Sequence, residues 1–292
     1  MTAAVLSAPR LRSPTWQRLR EALRRHPTAI VGCIVLAAML LIALAAPWLG
    51  TVDPQSLSPA QRLKPPSSEH WFGTDMLGRD VYSRVIYGAR ISLAVGIAVA
   101  LLSIALGLAI GLVTGFVRWL DAVVMRVMDG LMSIPSVLLA IALMALTKAS
   151  VGNVIIAITV AEVPRVVRLV RGLVLSLREQ PFVEAAIAAG TNLPLILLRH
   201  ILPNTVAPLL VQGTYICASA MIIESILSFI GAGTPPNVPS WGNIMAEARS
   251  LFQIAGYLIF FPGLFLSLTV LAVNLLGDGM RDALDPRLSR RM

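Results

Sequence analysis

The sequence has 292 residues, 57% of them hydrophobic and only 13% charged, with a mean hydropathy of +0.79. That balance excludes an ordinary soluble domain and allows several bilayer spans of roughly 20 residues each. A net charge of +9 invites a nucleic-acid reading, but basic and aromatic residues do not interleave, so no nucleic-acid partner is expected and loop charge bias accounts for the excess.

In chain order, Arg10, Arg12, Arg18, Arg20, Arg24 and Arg25 precede an apolar run at about 28–49. The run is longer than the core of a signal peptide, roughly 7–15 residues, and reads as a retained anchor. Residues 50–90 open with Pro- and Ser-rich coil (Asp53-Pro54, Pro59, Pro65-Pro66) and turn helix-like, with Thr74 or Asp75 as candidate cap. Further apolar runs follow at about 91–116, 122–147, 151–172, 205–231 and 254–277. The expected fold is therefore all-α and polytopic: six transmembrane helices, one anchor plus a five-helix core. The turn near Ala149–Asn153 is short enough to make its two helices an antiparallel pair. With both termini cytoplasmic, 17 of the 24 basic residues fall inside and 7 outside, the better of the two orientations. The resulting plan is a cytoplasmic basic N-terminus (1–27), the anchor (28–49), a periplasmic segment with an interfacial helix (50–90), a core (91–277) containing a polar loop (173–204), and a cytoplasmic tail (278–292).

Several side chains stand out. Gly107, Gly111 and Gly115 recur every four residues and suit a close helix–helix contact, within the chain or with a partner. Cys33 and Cys217 sit in apolar runs and read as small packing residues rather than a disulfide. His26, His70 and His200 lie in separate polar segments, so no metal site is expected. Asp129 is placed to pair with Arg126. Glu162, mid-span, and Glu224, about seven residues or roughly 10 Å from a span end, are costly in lipid. Each is either a pathway contact or a hydrogen-bonded packing group.

The polar loop is the richest segment. Phe182–Ala189 favours helix, with Glu184 near its positive end. Gly190 can end that helix with a positive φ, Pro194 fits the first turn of a second helix, and Pro203 precedes the next span. Ala185, Ala186, Ala188 and Ala189 leave a low surface, fit either for headgroups or for a groove on another protein.

Glu184-Ala185-Ala186, Gly190 and Leu202-Pro203 resemble, at matching spacing, the cytoplasmic loop of ABC-importer permeases, with His200 where the general pattern has Ile. Arg199-His200-Ile201-Leu202-Pro203-Asn204 is similar to the dipeptide/oligopeptide/nickel branch. So are Trp71-Phe72-Gly73-Thr74-Asp75, the stretch Phe229–Pro236 with Pro239-Ser240-Trp241-Gly242, and the ending Asn274–Pro286, all of which resemble its C-type transmembrane subunit. Val163-Pro164 departs from the Trp-Pro frequent there.

This resemblance implies a non-enzymatic permease subunit in a bacterial inner membrane. It implies a B-type permease in a heterodimer, two ATPase subunits that bind ATP and Mg, a periplasmic or lipid-anchored binding protein, and surrounding lipid. Glu184, Ala185, Ala186, Gly190, Leu202 and Pro203 would couple to the ATPase, and Trp241, Glu247 and Arg249 are candidates for external docking. The lone lysines, Lys64-Pro65 and Lys148-Ala149, cannot form a phosphate loop, so no cofactor is expected in this chain and no catalytic residue is assigned. Peptides are the expected cargo, with opines and nickel chelates open. The competing reading is a partner-independent channel or secondary carrier.

Overall fold

The computed structural model describes residues 27–284. The six N-terminal arginines and His26 lie outside the described residues, as do Asp285–Met292 with Arg287, Arg290 and Arg291. Ten α-helices run through the described residues: α1 Pro27–Ala45, α2 Val81–Thr114, α3 Arg118–Met132, α4 Ser136–Ala145, α5 Val151–Leu177, α6 Pro181–Ala188, α7 Leu193–Ile196, α8 Leu202–Phe229, α9 Trp241–Glu247 and α10 Tyr257–Leu284. Among the described residues, β pairing is limited to one isolated bridge, Thr74 with Asp80, ahead of α2.

Four helical stretches are long and apolar enough to cross a membrane: Pro27–Trp48, Val81–Thr114, Leu193–Phe229 and Tyr257–Ala283. The expected span at 122–147 is instead two helices, α3 and α4, bent by 90° across Ser133–Pro135. Proline disfavours the helical conformation at the residue before it and cannot donate to the ladder behind it, which breaks the run there. Counting the bent pair once gives five. The sixth expected span is α5, 27 residues long but carrying Glu162, Arg165, Arg168 and Arg171. The protein is an all-helical, multi-pass membrane protein, and a count of six spans is not reached on length and apolarity alone.

Helix α2 is the central strut. Its 34 residues extend about 50 Å at the helical rise, well beyond a hydrocarbon core of about 30 Å. The interfacial helix expected within 50–90 begins only at Val81 and runs on without a break as the start of α2. Its cap is Asp80, not Thr74 or Asp75: the Asp80 carboxylate accepts from Ser83 N at 2.8 Å and Ser83 Oγ at 2.6 Å. Asp75 instead closes its own turn, accepting from Leu77 N and Arg79 N.

The glycine stripe faces α5 within the same chain. A Cβ on Gly107, Gly111 or Gly115 would lie 2.4, 2.7 or 2.5 Å from the Cβ of Val166, Val170 or Val174. The two backbones therefore approach as closely as small residues permit. Helix α3 is fixed to α5 by two ion pairs: Asp129 with Arg168 at 2.5 Å, and Asp121 with Arg171 through both carboxylate oxygens. Asp129 thus pairs across helices rather than with Arg126.

Helix α1 packs on α10, where Gly32 meets the Ala272 carbonyl and Gly279 meets Ala29. Arg90 ties α1 to α2 by donating to the Ala43 and Leu44 carbonyls at 2.6 and 3.4 Å, where the helix dipole favours a cation. Phe72 stacks on Phe261 at 3.9 Å, and Tyr257 donates to the Thr74 carbonyl, which pins the 50–80 segment to α10. Cys217 is buried, as expected, but Cys33 faces outward on α1; both are free thiols.

Candidate functional site

Between α5 and α8 the chain leaves the bundle for a compact loop. Pro181 occupies the first turn of α6, a position without need of an amide donor. Glu184 sits in that first turn, where its negative charge complements the positive end of the helix dipole. Gly190 ends α6 at φ +78°. Gly190 N donates to Ile187 O and Thr191 N to Ala186 O, at 2.9 and 3.0 Å. This paired 5→2 and 6→1 closure satisfies the last carbonyls and fixes the turn. Asn192 then caps α7 through Leu195 N at 3.3 Å, and Pro194 fills its first turn.

From Leu197 to Ile201 the helix widens to a π turn before α8 begins at Leu202. Pro203 explains the widening. It has no N–H for the Arg199 carbonyl, and its ring pushes that carbonyl aside. Asn204 Nδ2 donates to the His200 carbonyl at 2.7 Å and supports the opened ladder. The sequence reading placed Pro203 ahead of a span but missed the π turn.

Val183, Ile196 and Ile201 anchor the loop in the core, and Arg178 donates to the Gly115 carbonyl at 3.3 Å, joining its base to the end of α2. Of the residues read as coupling, Glu184, Ala185, Gly190 and Pro203 are exposed, while Ala186 and Leu202 are half-buried. Around them stand larger apolar side chains that the sequence reading did not single out: Phe182, Ile187, Leu193, Leu195 and Leu198, the last 61% exposed. The Phe182 ring lies 6.3 Å from that of His200, bridging α6 to the π turn. The signal was present in the run Leu193–Leu198, apolar throughout yet outside any expected span. The result is a braced knob with low alanines amid apolar residues, a surface suited to burial against another protein.

The two buried carboxylates lie inside the protein. Glu162 is bound by Arg165 at 3.1 Å and by Ser219 Oγ at 3.4 Å. Glu224 accepts from Ser228 at 2.8 Å and Thr234 at 3.4 Å, within a buried set that includes Ser240 and Asn243.

At the other end of the bundle, Trp241 is fully buried; its ring N–H donates to the Val85 carbonyl at 3.0 Å and its indole packs on Gly88. Its place is in the core, not on a docking surface. Glu247 closes a four-residue ion cluster. Arg84 reaches Glu247 at 2.5 Å and Asp75 at 2.6 Å, and Arg79 reaches the same two at 2.5 and 2.6 Å. The cluster is neutral overall, and its Glu247 side chain alone keeps appreciable exposure, 29%. Arg249 is exposed, with its guanidinium 6.0 Å from the Phe229 ring centroid.

Residues 103–290 match the family described as binding-protein-dependent transport system inner membrane component. Residues 14–66 match the N-terminal transmembrane domain of oligopeptide transport permease C. The chain is 54% identical over 290 residues to a probable peptide ABC transporter permease of Sinorhizobium fredii, covering 99% of this chain and 98% of that one. It is 41% identical over 274 residues to a dipeptide transport system permease of Alkalihalophilus pseudofirmus, covering 94% and 90%. It is 42% identical over 292 residues to a glutathione transport system permease of Escherichia coli O157:H7, covering 98% and 96%.

Proposed function

The chain belongs to the family of binding-protein-dependent transport system inner membrane components, and we propose that it forms one half of a peptide-conducting pathway, driven through its 182–203 loop by a separate ATPase. It is a permease subunit of an ABC importer of the peptide class. Relatives named for peptides, dipeptides and glutathione share one cargo chemistry, the peptide amide, and that supports peptides here over nickel chelates. A homologous B-type permease completes the path, two ATPase subunits bind ATP and Mg, and a periplasmic or lipid-anchored protein delivers cargo. The membrane is the bacterial inner membrane, with both termini and the loop on the cytoplasmic side.

The braced loop is the observation that carries this reading. Glu184, Ala185, Ala186 and Gly190 sit on a short helix whose C-terminal closure is rigid, and the knob is joined to α8 through the π turn and to α2 through Arg178. A push on α6 is thereby transmitted to two long helices at once. ATP-driven closure of the ATPases would carry the loop with them and swing α8 and α2 to open the path outward. Such a push shifts the equilibrium only if the loop contacts differ between the two states.

Affinity purification of the tagged chain in mild detergent tests the assembly. Recovery of a second permease and ATPase subunits is expected. Recovery of a stable homomeric chain that passes solute without ATP would overturn it in favour of a channel or carrier.

A further inference from the structure

One face of α8 is left uncovered by the rest of the chain. Tyr215, Ser219, Ile222 and Ile226 succeed one another at four-, three- and four-residue steps and so line up along the helix. Beside them runs an open groove of about 360 Å³, completed by Ser136 at the start of α4 and Asn274 in α10. That volume is about a dozen times the share of one liquid water, enough for a short peptide segment. Ser219 lies ten residues from the end of α8 at Phe229, or about 15 Å by helical rise, half the hydrocarbon thickness of about 30 Å.

The lining has a clear chemical character. It contains no Asp, Glu, Lys or Arg. The Asn274 carboxamide and the Ser136 hydroxyl make no hydrogen bond within the described residues. Ser219 turns its hydroxyl to Glu162, which sits behind the groove wall and is neutralised by Arg165. An unpaired carboxamide facing lipid at this depth would be costly, so the groove faces something that supplies partners. A carboxamide presents one acceptor and two donors, the same complement as the peptide unit it would meet. Beyond it, Ile222, Ile223 and Ile226 form an apolar stretch towards the 230–240 loop, with no polar group in it to fix one side chain over another.

We propose that this groove is the chain's contact with cargo in transit, with Asn274 and Ser136 exchanging hydrogen bonds with the backbone amides of a passing peptide. The inference rests on the peptide-importer reading and adds a recognition chemistry to it: backbone amides are gripped weakly, and no charged partner is offered to a side chain.

The test uses the complex purified with its partner subunits, reconstituted in liposomes with its binding protein, and radiolabelled L-alanyl-L-alanine as probe. Asn274→Leu is expected to lower uptake per ATP hydrolysed by about three- to tenfold, the loss of roughly one neutral hydrogen bond, with Asn274→Gln recovering part of it. Wild-type uptake by Asn274→Leu overturns the proposal. A second arm places a thiol at the groove wall, Ser219→Cys in a Cys33→Ala, Cys217→Ala background. A membrane-impermeant thiol reagent should label it at a rate that alanyl-alanine slows, while Leu271→Cys, on an exposed apolar face of α10, stays unlabelled. An unreactive Ser219→Cys in a complex that still transports means that helices of the second permease fill the groove, which sinks the inference and leaves the importer standing. A reactive thiol in a complex that hydrolyses ATP yet takes up no alanyl-alanine sinks the peptide reading itself.

Discussion

Replacing Gly111 by alanine adds one carbon to the seam between α2 and α5. The new Cβ would stand 2.7 Å from Val170 Cβ, 2.9 Å from its Cγ1 and 3.0 Å from the Val167 carbonyl oxygen. Carbon atoms at rest sit about 3.5–4.0 Å apart, so the helices must part by about 1 Å. The contact atoms are a Cβ and a backbone oxygen, which cannot rotate away as a long side chain would. Overpacking of this kind costs about 1–3 kcal/mol, and alanine's better helix propensity offsets about 0.5–1 kcal/mol of it. The net loss is at most about 2.5 kcal/mol and about 1 kcal/mol at mid-range, which corresponds to a fall in apparent Tm of about 2–4 °C for a chain of this size. Thermal unfolding of the purified chain in mild detergent, followed by tryptophan fluorescence, reads this directly. Gly172→Ala on α5 is the control, because its new Cβ meets nothing within 4 Å, and its apparent Tm should hold or rise slightly. Gly111→Ala with Val170→Gly should lose less than the sum of the two single losses, the coupling expected of contacting sites. If Gly111→Ala melts at or above the wild-type temperature, alongside Gly172→Ala, the seam is not close-packed as described and the reasoning fails.

Removing Arg84 should be among the most damaging single changes outside the apolar core. Arg84→Leu leaves Asp75 and Glu247, two buried or half-buried acids, with Arg79 as their one remaining shared cation and is expected to cost about 3–5 kcal/mol, seen as loss of folded chain in membranes; a wild-type yield would contradict the cluster's role. Trp241→Ala should destabilise by a similar margin, about 3–5 kcal/mol for a large buried aromatic, and full stability would place Trp241 on the surface after all. Gly190→Pro forbids φ +78° and deletes the amide that closes onto Ile187. Like Ala186→Glu, it should leave the chain inserted but uncouple ATP hydrolysis from uptake, and undiminished uptake in both would remove the loop from the drive train.

Much of the architecture was legible in the sequence because it depends on local chemistry. Each of the six apolar runs corresponds to helix, although one is broken, and Gly190 and Pro194 do what their backbone preferences dictate. The break at Ser133–Pro135 was legible too, since a proline sits inside the run, but hydropathy runs straight through it. What the sequence could not reveal is tertiary. The glycine stripe announced a close approach without naming Val166, Val170 and Val174. Asp129 had an eligible partner one turn away, yet Arg168 on another helix is the one it meets. Glu247 lies 163 residues from Arg84, and no local pattern joins them. Trp241 stood as a candidate for external docking, because burial of a short helix is decided by what folds over it. The π turn at Leu197–Ile201 follows from Pro203, a cause readable in sequence, but proline alone is equally compatible with a kink or a break.

The central claim is that the 182–203 loop is where a separate ATPase takes hold of this permease. A photo-reactive residue placed at Ile187, half-exposed on α6 beside the alanines, tests it in native membranes. The account predicts a crosslinked product with a protein bearing a nucleotide-binding phosphate loop, formed at a yield that changes when ATP is added. Crosslinking only to lipid, or only to a second copy of the same chain, would contradict it.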